Sequence, residues 1–426
     1  MITMKKLTFL AHVCASLLFT FSLIEVGLRL LPGLVPLPLL IYFDDGLRSE
    51  IAYRRNLPTQ WGTETVERDD GGPELRVFKP FSKVAWPIQE DVTVVMDQLG
   101  FCNPTTTHYQ AATIDLITLG DSFTTCHAVN PEETWTNQLG LLTNLSTYNL
   151  GRGGTGIQEY IQFLKKYGLA KSPQAVIMNI YEGNDLRDAG VYYYYHQNNQ
   201  PSANQPTPAT SETFYYDFLD HYSYGYNLGQ ACLKFSLYAS NAPAQSDKNP
   251  FTVSLEDGTI NFKYNLVFPN KNISFNPKNT DTDEVVVAKY LHNQEVEAGV
   301  FTAIEDSLKI YIKLSKEHHF IPIVTYTPSS YIAYQANVVF EDAALTDLMT
   351  EFSNQQRAYF QEKGRDLGYT FIDLTPALQA AAQASGSENL LYYRKDLHLT
   401  PAGHLVIAQT LSQLLPQSLS KRMELK

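Results

Sequence analysis

An alternation of strand and helix patterns from residue 113 onward constrains the fold of this chain more than any other feature. Short apolar runs bounded by glycine or polar residues indicate buried strands, and amphipathic stretches indicate helices. The patterns follow one another as strand 114–119, helix 132–142, strand 148–150, helix 157–166 and strand 175–180. Such alternation predicts an α/β fold of three layers, in which a mainly parallel sheet carries helices on both faces.

Residues 191–284 interrupt this alternation, because they are rich in Tyr, Asn, Gln, Ser and Pro and show few helical periods. The pattern then resumes as helix 285–316, strand 321–326, helix 348–363, strand 370–374 and helix 401–415. The predicted parts are an N-terminal segment 1–44, a lead-in segment 45–112, a core formed by 113–190 and 285–420, and an insertion 191–284. The tyrosines of the insertion are expected either to form a lid over the site or to pack the insertion onto the core.

The segment 1–44 has the composition of a membrane anchor. Lys5 and Lys6 precede an apolar stretch at 7–24, which has about the length of a helix that crosses a bilayer. Three prolines within 30–43 then predict an extended neck. A cleaved signal peptide and a soluble helix are the alternatives. An anchor or a signal peptide would place the remaining chain in the periplasm or outside the cell.

Charge and cysteine usage exclude several classes of function. The chain of 426 residues has a formal net charge of -12, and its longest basic run is Lys5-Lys6, which disfavours nucleic-acid binding. No C-x-x-C pair and no H-E-x-x-H motif occurs, so the sequence predicts no metal site and implies no cofactor.

Four short polar stretches carry the candidate chemistry: 120–123, 149–156, 183–185 and 396–398. In open parallel sheets, ligands bind at the carboxyl ends of the strands, so these stretches are expected to meet there. A nucleophilic serine needs a base, a group that orients the base, and donors for the oxyanion. The four stretches supply one candidate for each role.

In this order, the stretches resemble the motif blocks of the SGNH, or GDSL-type, hydrolase superfamily. The resemblance implies an SGNH/flavodoxin-like fold, with Ser122 as nucleophile, His398 as general base and Asp396 as the group that orients it. The family usually spaces these last two residues as D-x-x-H, whereas this chain has D-x-H, similar to the branch that includes the alginate O-acetyltransferases. His404 is the alternative base.

The same resemblance implies an oxyanion hole formed by the backbone N–H groups of Ser122 and Gly154 and the side-chain amide of Asn184. Gly151 or Gly153 is the alternative to Gly154. Related sequences carry no cysteine pair at positions like 102 and 126, and we expect a disulfide between Cys102 and Cys126, with two free thiols as the alternative.

A rival motif overlaps the second stretch. Residues 151–156 match G-x-G-x-x-G after a strand, and Glu182 ends the next strand, where a ribose-binding acid would lie in a dinucleotide fold. This interpretation leaves the serine, asparagine and Asp–His stretches unexplained.

The sequence therefore predicts an SGNH-type serine esterase acting outside the cytoplasm, with an O-acetylated glycan as a plausible substrate. An O-acetyltransferase of a cell-surface polysaccharide would use the same site with a sugar hydroxyl in place of water. A glycan-binding or scaffold protein that keeps the fold without turnover is the third hypothesis. The sequence does not indicate the oligomeric state.

Overall fold

The computed structural model describes residues 4–36, 63–87, 91–105, 109–198, 223–240, 264–275, 283–291, 294–394 and 396–415, with residues 39, 43, 47, 51, 54, 55 and 419 between and after them. Two compact units are present. One contains residues 1–63 and 201–246, and the other contains residues 64–200 and 247–426.

The described strands are β1 (Thr63–Val66), β2 (Leu75–Phe78), β3 (Lys83–Pro87), β4 (Asp91–Val95), β5 (Leu116–Leu119), β6 (Thr147–Asn149), β7 (Ala175–Tyr181), β8 (Tyr264–Phe268), β9 (Lys271–Phe275), β10 (Ile321–Thr327), β11 (Val338–Phe340) and β12 (Thr370–Asp373). The described helices are α1 (Met4–Leu30), α2 (Trp135–Thr143), α3 (Ile157–Phe163), α4 (Asp185–Asn198), α5 (Tyr224–Ser240), α6 (Asp283–Tyr290), α7 (Gln294–His318), α8 (Ser330–Ala333), α9 (Ala344–Leu367), α10 (Thr375–Ser385) and α11 (Pro401–Leu414).

Within the described residues of the larger unit, five strands form a parallel sheet in the order β12–β10–β7–β5–β6. Strand β5 lies between β6 and β7, with Leu116 opposite Thr147 on one side and Ala175 on the other. All residues of β5 and β7 are buried, as expected for central strands covered on both faces. The predicted α/β class and mainly parallel sheet are confirmed.

The helices of this unit pack in two groups. Helix α11 packs against α2 and α10, whereas α7 packs against α3, α4 and α9. The helix predicted at 285–316 is two helices, α6 and α7. Helix α10 has no counterpart in the predicted pattern.

The region 191–284 is more regular than its composition predicts. Helix α4 extends to Asn198 and contains the tyrosine run 192–195, and β8 and β9 form a hairpin. Strand β8 also pairs with β11, where Leu266 lies opposite Val338. This pairing joins residues far apart in the chain, so no local pattern indicates it. Residues 199–222, 241–263 and 276–282 of the predicted insertion lie outside the described residues.

In the smaller unit, α1 packs against α5. The carboxylate of Glu25 accepts hydrogen bonds from Ser223 Oγ (2.9 Å) and from the backbone N–H of Gly225 (2.8 Å), and so caps the start of α5. Among the residues that the structure describes, no helix is long and apolar enough to cross a membrane. The transmembrane anchor predicted within 1–44 is therefore not supported.

Candidate active site

The turn after β5 presents Ser122 at the carboxyl edge of the sheet. Asp121 Oδ1 accepts the backbone N–H of Phe123 (2.8 Å), and its carbonyl oxygen accepts the N–H groups of Thr124 (3.1 Å) and Thr125 (3.0 Å). An aspartate that bonds its own following backbone closes such a turn without a regular helix. Asp121 is fully buried, while Ser122 stays half-buried with its hydroxyl available.

The structure brings the three predicted triad residues together. Ser122 Oγ lies 2.7 Å from His398 Nε2, and His398 Nδ1 lies 2.6 Å from Asp396 Oδ1. Ser122 is 276 positions away from His398 in the sequence, so this contact depends on the whole arrangement of the sheet. A serine, an imidazole and a carboxylate in one hydrogen-bonded line form the arrangement that activates a serine nucleophile.

The short D-x-H spacing works because the residue between the two side chains has a left-handed backbone. Leu397 has φ 65° and is buried. The loop is closed around it by hydrogen bonds from Leu397 N to the Tyr393 carbonyl (3.0 Å) and from Tyr393 N to the His398 carbonyl (2.8 Å). A left-handed backbone at a bulky residue is costly, and functional sites are where such strain is usually found.

His127 belongs to the site, and the sequence analysis missed it. Its ring stacks on that of His398, with centroids 3.7 Å apart and planes 15° apart. Its Nε2 lies 3.4 Å from Asp396 Oδ2, so the carboxylate contacts two imidazoles. The only signal in the sequence is the position of His127 directly after Cys126, five residues beyond the candidate nucleophile.

The electrostatics of Asp396 favour a permanent negative charge. Burial by itself would raise the pKa of this carboxyl. The charge of His398 and hydrogen bonds from His127 and His398 outweigh burial and hold the pKa of Asp396 well below its usual value. Asp396 is therefore an ionised partner for the imidazolium that forms when His398 takes a proton.

The loop after β6 contains the glycines that the sequence predicts as oxyanion donors. Gly151 N already donates to Asn149 Oδ1 (2.7 Å), which argues against Gly151 as a donor to substrate. Gly153 lies against the nucleophile, since a Cβ added there would be 3.4 Å from Ser122 Cβ. Gly154 has φ 73°, a conformation that favours glycine. Within the described part of the chain, the N–H groups of Ser122, Gly153 and Gly154 make no hydrogen bond and remain available.

Asn184 follows β7 and lies at the start of α4. Its Nδ2 donates to Asp188 Oδ2 (2.9 Å), and a hydrogen bond between the amide and Asp121 favours the ionised form of that carboxyl. These two acids hold the amide at the carboxyl edge of the sheet.

Both alternatives from the sequence have structural roles. His404 is buried in α11, where its Nδ1 accepts the backbone N–H of Trp135 (3.2 Å) and burial lowers its pKa to about 3. Glu182 is fully buried and accepts hydrogen bonds from the hydroxyls of Ser329, Ser353 and Tyr326. It therefore does not face a nucleotide, which removes the acid that the dinucleotide motif requires.

His127, Asp396 and His398 also lie close enough to hold a metal ion, with one ligand atom of each within 4.8 Å of the others. Both nitrogens of His398 already make the hydrogen bonds of the triad. A metal bound to this ring would replace one of those bonds, so the residues fit the triad better than a metal centre.

The lead-in segment supports this site. A disulfide joins Cys102 to Cys126, and Asn103 exchanges hydrogen bonds with the backbone of Asn149 (Nδ2 to O, 3.0 Å; N to Oδ1, 2.8 Å). One short segment thus holds both the nucleophile turn and the start of the glycine loop.

The comparisons with known proteins identify structural neighbours only. No protein-family profile and no curated protein matches the chain in sequence. The chain is similar to a lipolytic-type protein of the G-D-S-L family from Desulfitobacterium hafniense DCB-2, with 13% identity and a TM-score of 0.32 over 71% of this chain and 100% of that chain. It is also similar to the acetyl xylan esterase AlAXEase, with 13% identity and a TM-score of 0.34 over 71% and 100%.

A third neighbour is Axe2, an acetylxylan esterase from Geobacillus stearothermophilus, with 12% identity and a TM-score of 0.32 over 71% of this chain and 94% of that chain. Because these TM-scores are below 0.5, the function is inferred from the parallel sheet and the hydrogen-bonded residues of this chain alone.

Proposed function

We propose that this chain is a serine esterase of the SGNH type. The observation that supports the proposal is the continuous hydrogen-bonded line from Ser122 Oγ through His398 to Asp396 at the carboxyl end of the central strands. No other described cluster of titratable groups combines a nucleophile, a base and available backbone donors.

In the proposed reaction, Ser122 Oγ attacks the ester carbonyl while its proton passes to His398 Nε2. The ionised Asp396 stabilises the resulting imidazolium through Nδ1–H. The N–H groups of Ser122 and of Gly154 or Gly153, with the Asn184 amide, would stabilise the oxyanion. The protonated His398 then gives its proton to the leaving alcohol, and water, deprotonated by His398, releases the acyl group from the serine.

We also propose that the enzyme acts outside the cytoplasm, on O-acetylated glycans. A disulfide beside the nucleophile turn supports the location, because such bonds persist in oxidising compartments. The glycan follows from the family resemblance and that location.

The test is the hydrolysis of p-nitrophenyl acetate by the full chain and by Ser122→Ala and His398→Ala. Each variant should lose about a thousandfold or more in kcat, because removing a triad member disables the whole unit. His318→Ala is the matched control, since His318 is exposed in the last turn of α7 and should leave the rate unchanged.

A fluorophosphonate probe should label the wild type and spare Ser122→Ala. Equal labelling of both proteins, or equal rates, would show that Ser122 is not the nucleophile. A folded wild type that neither hydrolyses the ester nor takes up the probe would favour a binding protein instead.

A further inference from the structure

Arg152 occupies an unusual position beside the nucleophile. It follows β6, and its backbone N–H donates to the Gly120 carbonyl (2.9 Å). Its side chain turns back so that Nη1 donates to the carbonyl of Gly153 (2.7 Å), the residue whose backbone lies against Ser122. The guanidinium carbon lies 4.0 Å from the centre of the Phe78 ring, a cation–π contact that fixes the group in place.

The charge of Arg152 has no carboxylate partner among the described residues. A guanidinium offers five N–H donors, yet this group makes only the one side-chain hydrogen bond, and its Nε is buried without a partner in the described chain. Burial lowers the pKa of Arg152 to about 10, so the group is still cationic at neutral pH. A half-buried cation without a counter-ion is costly, which indicates a ligand that supplies the negative charge.

The other charged residues around the cavity support the same conclusion. Arg152 lines a cavity of about 260 Å³ together with Gly153, Gly154 and Tyr192. Of the acids that line the same cavity, Glu74 pairs with Arg76 (2.7 Å) and Asp188 pairs with Arg187 (2.8 Å). Glu159 shares Arg68 (3.0 Å) with Asp70 (2.6 Å). Of the two arginines in the described cavity wall, Arg76 has an ion pair with an acid and Arg152 has none.

We propose that Arg152 forms an anion subsite next to the acyl-transfer centre, so that the ester acted on at Ser122 carries a carboxylate, sulfate or phosphate group. This inference rests on the proposed esterase function. The planar guanidinium suits bidentate contact with such a group. The chain has a net charge of -12, which repels an anionic substrate. A local cation such as Arg152 would offset this repulsion at the site.

The test compares substrates that differ only in charge. One pair carries the anion on the acyl side, as the p-nitrophenyl monoester of adipic acid and its terminal amide. The other carries it on the alcohol side, as an O-acetylated methyl glucuronoside and its carboxamide. The wild type should prefer the anionic member of one pair by about tenfold or more in kcat/KM, as expected for a charge-assisted contact.

Arg152→Gln should bring that preference to one or below, and Arg152→Lys should keep part of it. Because each preference is a ratio of two kcat/KM values for the same variant, a general loss of rate in that variant does not affect it. Arg76→Gln is the matched control, because Arg76 lines the same cavity but is paired with Glu74, and it should leave the ratio within about twofold. If Arg152→Gln fails to fold, the wild-type ratios and Arg152→Lys decide.

Wild-type ratios near one in both pairs, or an Arg152→Gln ratio equal to that of the wild type, would overturn the subsite and leave the esterase proposal intact. If the wild type hydrolyses none of the four esters, the esterase proposal fails by itself. Calorimetry of free glucuronate and adipate with Ser122→Ala then decides on the subsite: binding that is lost in Ser122→Ala/Arg152→Gln supports it, and absence of binding overturns it.

Discussion

At the scale of single residues, the site depends on one carboxylate shared by two stacked imidazoles. Asp396 contacts His398 through one oxygen and His127 through the other. Ala128, which follows His127, has φ 59°, and Leu397, which lies between Asp396 and His398, has φ 65°. Both residues therefore have left-handed backbones. Tyr393 links the two loops by donating its hydroxyl to the Ala128 carbonyl (2.9 Å). Two of the six non-glycine residues with positive φ in the described chain thus lie beside the two imidazole rings.

His127 should therefore act as a positioning residue for the Asp396–His398 pair. His127→Phe keeps a ring to stack on His398 but removes the donor to Asp396, and it should lower kcat/KM for p-nitrophenyl acetate by about tenfold. His127→Gln keeps a donor and should recover part of the rate. A His127→Phe variant with the wild-type rate would contradict this role, and a greater loss in His127→Gln would assign it to ring stacking instead.

At the scale of elements, the nucleophile turn and the glycine loop are supported by the lead-in segment. The Asp97 carboxylate accepts the backbone N–H groups of Leu99 (2.8 Å) and Phe101 (3.0 Å) and the amide of Asn103 (2.9 Å), which orders this segment. The segment then reaches the core through the Cys102–Cys126 bond. Residues 97–103, which form no helix or strand, thereby tie the lead-in segment to the turn that contains Ser122.

Removal of the Cys102–Cys126 disulfide should lower both the free energy of unfolding and kcat. The bond spans 24 positions, and loop-closure entropy for such a span is worth about 3 kcal/mol of unfolding free energy. Cys102→Ala/Cys126→Ala should show this loss in urea denaturation and a reduced kcat. Cys232→Ala is the matched control, because Cys232 is an exposed free cysteine in the smaller unit. A double variant as stable as the wild type would show that the described hydrogen bonds suffice.

At the scale of the whole molecule, the larger unit buries carboxylates that have no arginine or lysine beside them. Asp121, Asp185 and Glu182 are fully buried, and burial raises the pKa of each. A raised pKa in an acid means that folding is most favoured below its ordinary pKa and that this contribution is lost as the pH rises. The site geometry therefore reduces the stability of the unit at neutral pH.

Asp121→Asn should reveal how much the buried carboxylate of Asp121 lowers the stability at neutral pH. Burial raises the pKa of Asp121, so the wild type should lose unfolding free energy relative to the variant as the pH rises from 4 to 7. The charge of Asp121 also raises the pKa of Asp185, which acts in the same direction. Asp396 has the opposite effect, with a contribution that is lost as the pH falls, but it is common to both proteins and cancels. Chemical denaturation across this pH range measures the difference, and a difference independent of pH would contradict the assignment.

The sequence alone determined the strands of the parallel sheet and the residue types of the site. Strand and helix periods are local, so the alternation from residue 113 predicted the parallel sheet, and the four polar stretches identified Ser122, Asp396 and His398 as candidates for one site. The sequence did not predict the helix in the tyrosine run, because tyrosines on several sides of a helix hide its apolar period. It did not predict the β8–β11 pairing, because that pairing joins residues far apart in the chain.

Only the tertiary structure decided which groups share a contact. The stacking of His127 on His398, the burial of Glu182 among three hydroxyls and the unmatched charge of Arg152 each depend on loops that meet through the order of strands in the sheet. Side-chain partners of this kind have no period in the sequence. They are fixed by the crossovers that bring the carboxyl ends of separate strands to one edge.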